Sequence, residues 1–263
     1  MTGRPLILVT NDDGVRSPGL AAAAAAIAPL GEPLLVAPIR QQTSMGHAFP
    51  YHPDNGAILP VTVDVDGVPT TAYAVEGSPA ITVCHAMLEL APRRPDLCVS
   101  GINYGENVGT GITASGTLGA AFQAVALGVP AVAVSIEYDP VLQESDTIVD
   151  LDFTAARDFT WRVARHALVD GLPPPVTVLN VNVPSGATRT TPMRATRQSE
   201  QSYYVPCKPP TRDLTRPAAL GFTVEVDFAT LEPGSDIHAL KVERAVSVTP
   251  LAATMTAPVE LPW

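Results

Sequence analysis

Between Leu6 and Val183 the chain alternates short, largely apolar runs with stretches of helical spacing, and this rhythm restricts the fold more than any other property of the sequence. A strand that is apolar at every position must be covered on both faces, and parallel strands joined by helical crossovers meet that demand. The runs at 6–9, 34–37, 97–100, 131–135 and 176–183 read as such strands. Ser17 followed by Pro18 predicts an N-cap with proline at the first helical position, opening a helix that Gly31 stops. Ser78 and Pro79 open a second helix to about residue 90, and 117–127 and 153–169 carry helical spacing as well. Asp66-Gly67 between the runs 58–65 and 69–75 predicts a β-hairpin, a local antiparallel addition. Past Pro184 the rhythm weakens. The segment 206–217, rich in proline and polar residues, reads as a loop or extended arm, with a strand pair at 222–228 and 246–249. The fold class is therefore α/β with a mostly parallel sheet.

With 46% hydrophobic and 16% charged residues, the chain has the composition of a globular protein with a sizeable core. Its longest apolar stretch, 20–30, is mostly alanine and falls short of the roughly 20 residues a membrane span requires. No signal-peptide pattern precedes polar Thr10, Asn11 and Asp12. The three cysteines, Cys84, Cys98 and Cys207, form no CxxC pair, which argues against a disulfide framework or thiolate zinc site and predicts a reduced, cytoplasmic protein. A net charge of -10 repels nucleic-acid backbones, so polymeric DNA or RNA is not expected as a partner. A small phosphate ester stays compatible with that charge where a metal ion inverts the local sign.

In open α/β sheets ligands bind beyond the carboxyl ends of the strands, and the loops there are polar. Asn11-Asp12-Asp13-Gly14 follows the first strand and sets two neighbouring carboxylates at its tip, suited to a hard cation such as Mg²⁺ or Mn²⁺. The same residues also suit a turn that only caps a helix approach. After the second strand, Arg40-Gln-Gln-Thr-Ser-Met-Gly-His47 offers hydroxyls, a guanidinium and an imidazole, as would any solvated loop. The third loop, Ser100 to Gly111, is glycine-rich and contains Asn103 and Asn107; Ser115, Gly116 and Thr117 then stand at a helix start, where backbone N–H groups favour a phosphate. Gly109-Thr-Gly-Ile-Thr-Ala114 matches the dinucleotide fingerprint G-x-G-x-x-A, but the residues between Gly101 and Val108 separate it from its strand, so NAD is not expected.

The ordered set Ile7-Leu-Val-Thr-Asn-Asp-Asp-Gly-Val-Arg-Ser-Pro-Gly19, Val36-Ala-Pro38, Val99-Ser-Gly-Ile-Asn-Tyr-Gly-Glu-Asn107, Ser115-Gly-Thr117, Leu179-Asn-Val-Asn-Val-Pro184 and Ser247-Val-Thr-Pro-Leu251 resembles the stationary-phase survival protein SurE family. The resemblance covers nearly the whole chain. It implies a three-layer αβα, Rossmann-like core in a single domain over 1–263. The core would take about 1–185, and an oligomerisation arm with returning strands about 186–263. It further implies a metal-dependent 5′/3′-nucleotidase holding one divalent cation, Mg²⁺ or Mn²⁺, on Asp12, Asp13, Thr43 and Asn103, with Ser44 as the alternative hydroxyl to Thr43. Asn107, Ser115, Gly116 and Thr117 match the family's phosphate-contacting positions. Ile39, Ile81 and Thr82 depart from residues common in the family, outside the metal set.

A phosphomonoester needs charge neutralisation, an in-line nucleophile and a proton acceptor, and Asp12 or Asp13 is the expected acceptor from the attacking water. A phospho-aspartate route stays open. Rival readings are a broad acid phosphatase or exopolyphosphatase, and a nucleotide- or metal-binding regulator without turnover. The resemblance implies a homodimer or homotetramer, with Tyr203, Tyr204, Val205 and Leu214 of the arm expected against a neighbouring subunit.

Overall fold

The apolar runs become the centre of one sheet. The computed structural model describes residues 3–138 and 151–256. Among these the strands are β1 (Leu6–Thr10), β2 (Glu32–Pro38), β3 (Ile58–Val65), β4 (Val68–Val75), β5 (Leu97–Tyr104), β6 (Ala131–Ile136), β7 (Val178–Val183), β8 (Met193–Ala195), β9 (Tyr204–Pro206), β10 (Phe222–Val224) and β11 (Val246–Leu251). All but β9 and β10 form a single sheet in the order β3-β4-β2-β1-β5-β6-β7-β11-β8. From β4 through β7 every pairing is parallel, whereas β3 and β11 run antiparallel to their neighbours β4 and β7. The sheet is thus an α/β core with antiparallel additions at both edges.

Strand alternation divides the core into two layers. Ile7, Val9, Leu35, Leu97 and Val99 face α1 (Pro18–Ile27) and α4 (Thr154–Val169), where Leu20, Ile27, Phe159 and Val163 are buried against them. Leu8, Val36, Cys98 and Ala133 face α2 (Pro79–His85) and α3 (Gly116–Ala126) through Val83, Leu118 and Ala121. Full burial of one such large side chain contributes about 1.5–3 kcal/mol relative to exposure. The helix starts follow the sequence closely. Ser17 caps α1 by accepting from Gly19 N at 3.2 Å, and Ser78 caps α2 by accepting from Ile81 N at 3.2 Å, each followed by proline. The hairpin also forms as expected: Asp66 and Gly67 take positive φ angles of 52° and 78°, which a two-residue type I′ turn demands.

Two expectations need correction, and a third element has no counterpart in the sequence reading. First, β5 does not stop at residue 100: it continues to Tyr104 through a bulge between Ser100 and Asn103. Gly101 marks that bulge rather than the strand end, at φ 132° and so close to β6 that a Cβ would stand 2.2 Å from the Val134 carbonyl oxygen. Second, residues 222–228 and 246–249 do not pair with each other. β10 pairs with β9 in a separate ribbon, while β11 joins the main sheet between β7 and β8. Third, the C-terminal region holds a helix, α5 (Asp236–Lys241), too short for periodicity to reveal, capped by Ser235 accepting from His238 N.

Close backbone approaches tie α1 to β5. At Gly19 a Cβ would lie 2.0 Å from the Ile102 carbonyl oxygen, backbone that cannot move aside cheaply. Gly19→Ala is therefore expected to cost about 1–3 kcal/mol, a fall in Tm of several degrees by differential scanning calorimetry. Gly3→Ala, with nothing within 4 Å of the added carbon, should leave Tm unchanged.

Candidate functional site

Chain order reverses beside β1: β2 lies on one flank and β5 on the other, so a crevice opens beyond their carboxyl ends. The candidate residues gather there. Asn11, fully buried, closes the first loop on itself: its Nδ2 donates to Gly14 O and its Oδ1 accepts from Gly14 N, both at 3.1 Å. Gly14 takes φ 98°, and a Cβ on it would press on the Arg40 backbone. This turn presents Asp12 and Asp13 past the strand end.

Asp12 is only 5% exposed, and its Oδ1 accepts a 2.6 Å hydrogen bond from the Thr117 hydroxyl in the first turn of α3. Ser115 caps that helix by accepting from Leu118 N at 3.1 Å. Between them, Gly116 is held so near the aspartate that a Cβ would stand 2.7 Å from both Cβ and Oδ2 of Asp12. Of the amides at this helix start, that of Ser115 donates to Ile112 O at 3.3 Å and that of Thr117 lies against the Asp12 carboxylate. The Gly116 amide, first of the helix, has no intrahelical acceptor by position.

The second loop is pinned across both. Gln42 N donates to Asp12 O at 2.7 Å, and Gly46 N donates to Ala114 O at 3.0 Å. Between these anchors, Met45 N closes a turn on Gln42 O with Thr43 and Ser44 at its exposed tip, and Ser44 at φ 60°. His47 is engaged elsewhere, its Nε2 lying 2.7 Å from Gln123 Oε1.

From the third loop come two asparagines with different settings. Asn103, carried past the β5 bulge, donates Nδ2 to Gly105 O at 2.6 Å, which leaves its Oδ1 as the remaining acceptor. Asn107 is braced by residues the sequence reading gave no role. Its N–H donates to Asn182 Oδ1 at 2.7 Å, and its carbonyl accepts from Asn180 and Asn182 Nδ2 at 2.8 and 3.0 Å. Its own Nδ2 reaches Ser135 Oγ at 2.9 Å and Thr117 Oγ1 at 3.4 Å. The available signal was chemical: Ser135, Asn180 and Asn182 are polar residues inside otherwise apolar strands, each nearly or fully buried.

Electrostatics single out the first loop. Burial pushes the Asp12 carboxyl up to about 6 against the opposing hydrogen bonds from Thr117. Asp13 is raised well above the ordinary carboxylate range, first by burial and then by the neighbouring Asp12 charge. Its Oδ2 is buried and has no hydrogen-bond partner among the described residues. Two desolvated carboxylates, one with an orphaned oxygen, fit a hard divalent cation, which prefers oxygen ligands. Among the described residues no group of three or more His, Cys, Asp or Glu gathers at a possible metal site, here or elsewhere, and no helix is long and apolar enough to cross a membrane.

The family model described as "Survival protein SurE" matches residues 7–205. A protein named 5′-nucleotidase SurE from Thermococcus kodakarensis is 42% identical over 95% of this chain and 93% of its own. One of the same name from Methanocella arvoryzae is 40% identical over the same shares. The crystal structure of a SurE protein from Aquifex aeolicus superposes with a TM-score of 0.75 at 29% identity, covering 96% of this chain and 95% of that one. Sequence and architecture agree along almost the full length, and the chain belongs to the SurE family.

Proposed function

We propose that this chain is a divalent-metal-dependent phosphomonoesterase that hydrolyses nucleoside monophosphates to nucleoside and phosphate. The observation that carries the reading is the buried Asp12–Asp13 pair, with an unpartnered Asp13 oxygen, set against the N-terminus of α3. Relatives named 5′-nucleotidase support the nucleotide as substrate class. Asp12, Asp13, Asn103 and Thr43 or Ser44 would hold the cation. When bound, it supplies positive charge for the phosphoryl oxygens and acidity for the attacking water.

The protein's own residues do the rest. Thr117 fixes Asp12 by its hydroxyl hydrogen bond, leaving Asp13 the freer carboxylate to take the water's proton. The Gly116 N–H and the Asn107 carboxamide orient the phosphoryl oxygens at the positive end of α3. A panel of nucleoside monophosphates, p-nitrophenyl phosphate and short polyphosphate, assayed with Mn²⁺, Mg²⁺ or chelator, separates a nucleotidase from a broad phosphatase and from a binding protein without turnover.

Activity is expected to vanish in EDTA and return with Mn²⁺ or Mg²⁺; undiminished turnover in chelator would sink the metal assignment. Asp13→Asn, which keeps shape and removes charge, should lower kcat by roughly 10² to 10⁴ fold, and a change below threefold would make this carboxylate merely structural.

Burial of the pair has a consequence for stability. A carboxyl whose pKa is raised on folding contributes stability that is complete below its unfolded value near 4 and is lost as pH rises through the folded value. For Asp12 that window is about pH 4 to 6, and Asp13 shifts in the same direction. Chelator-treated protein should therefore melt at falling temperature as pH rises from about 4 through about 6, and Asp12→Asn should flatten the slope. A Tm that is independent of pH in this range would contradict the buried pair.

We also propose a homodimer or homotetramer joined through the C-terminal arm. Leu214, Leu220, Phe222 and Phe228 are exposed, and the β9–β10 ribbon that carries Phe222 stands apart from the main sheet. Tyr203 is not part of that surface: it is fully buried in its own chain. Deleting residues 206–217 is expected to give a monomer by light scattering; an intact protein already monomeric at micromolar concentration would overturn the assembly while leaving the chemistry intact.

A further inference from the structure

A cluster of charged groups lies beside the candidate site and takes no part in the chemistry above. Glu106, 1% exposed, sits immediately before Asn107 and three residues after Asn103. One of its carboxylate oxygens accepts from the Tyr203 hydroxyl and lies 3.3 Å from Lys241 Nζ, and the other accepts from Tyr138 N at 3.2 Å. Lys241 also pairs with Glu137 and rests 5.2 Å from the Tyr203 ring centroid, and Arg244 lies 2.8 Å from Glu137. Two acids therefore face two bases, and the cluster is internally neutral. Burial drives the Tyr203 phenol upward, reinforced by Glu106, so its hydroxyl stays a donor.

The same C-terminal segment grips the loop at three further points. Asp236 Oδ2 accepts from Gly109 N at 3.0 Å, Gln198 Nε2 donates to Gly109 O at 2.9 Å, and Gln201 O accepts from Thr110 N at 3.0 Å. Val108 is buried in a small apolar cluster with Tyr203, Leu231, Ile237 and Leu240, separate from the two layers of the main core. Loop residues 105–110 are thus held on one side by Asn180 and Asn182 of β7 and on the other by the segment from 198 to 241.

From this geometry we infer that Glu106 is a positioning residue: through Tyr203 and Lys241 it locks the C-terminal segment onto the loop, and so fixes Asn103 and Asn107 opposite Asp12. The inference rests on the phosphomonoesterase reading. A solvated glycine-rich loop would not hold two side chains to the tolerance that phosphate recognition demands, and a buried carboxylate with three donors fixes the backbone between them.

The test compares full-length wild type with Glu106→Gln, Tyr203→Phe and the double variant. Val163→Ala, a cavity in the α4 layer away from the site, serves as a control for lost stability alone. Binding of inorganic phosphate to the Mn²⁺-loaded protein is measured by calorimetry, beside kcat and KM on a nucleoside monophosphate and Tm. Each single variant is expected to weaken phosphate binding and lower kcat/KM by about 10- to 100-fold, with the double variant no worse than the weaker single. Val163→Ala should lose Tm with both constants unchanged. Phosphate affinity in Glu106→Gln and Tyr203→Phe within twofold of wild type, or losses that simply track Tm as in Val163→Ala, would overturn the inference. Wild type that binds phosphate but hydrolyses no monoester would overturn the functional reading instead, while the binding comparison still decides the role of Glu106.

Discussion

The arrangement of this protein depends on the burial of two adjacent carboxylates at the end of a central strand. Asp12 and Asp13 are placed where water is largely excluded, which opposes their ionisation and raises both pKa values. Such a pair is costly unless something compensates it. The chain compensates Asp12 internally, through the Thr117 hydroxyl and the first turn of α3, and leaves Asp13 with an oxygen that none of the described residues satisfies. That unrelieved cost is what the proposed cation would offset.

Everything around the pair serves close approach. Gly116 admits Asp12, Gly119 admits the second loop at a distance where a Cβ would meet Gly46 O at 2.0 Å, and Gly101 lets β5 bulge against β6. None of these contacts tolerates a side chain, so the glycines fix distances between three loops that are far apart in sequence. Asparagine completes the scheme. Its carboxamide both donates and accepts, so Asn11, Asn180 and Asn182 satisfy loop backbone that turns away from regular structure while keeping the site neutral.

How much of this was legible in the sequence follows from the range of the interactions. Strand runs, the Ser-Pro helix starts and the Asp-Gly hairpin depend on neighbours within a few residues, and the structure places them near their expected positions. The β5 bulge misled because Gly101 reads as a strand end when its strand is considered alone; only the partner β6 shows that pairing resumes at Asn103. In the C-terminal region the pairing of β10 with β9 and of β11 with β7 is set by contacts across tens of residues, and short elements such as α5 carry too few positions for a period to emerge. The candidate site was legible as a set of loops but not as a network. Asp12, Asp13, Asn103, Asn107 and the Ser115–Thr117 turn stood out by residue type. Asn180, Asn182, Ser135 and Glu106 did not, because their partners lie in loops and a helix far away in the sequence.

That division bears on how the two parts of the chain relate. The resemblance implies an arm past residue 185, with residues 206–217 read as an extended segment from their proline and polar content, and the exposed apolar residues near the ribbon agree with a role in contacts beyond the chain. Yet Tyr203, Asp236 and Lys241 belong to that same region and hold the loop carrying Asn107, the first two by buried hydrogen bonds and Lys241 by a half-buried ion pair. An arm used only for assembly needs no such anchor. Tyr203 lies one residue before β9, so the anchor of the loop and the exposed ribbon are adjacent along the chain. The proposed assembly contacts of the ribbon and the candidate phosphate loop thus converge on Tyr203, whose phenol donates to the Glu106 carboxylate across the interior.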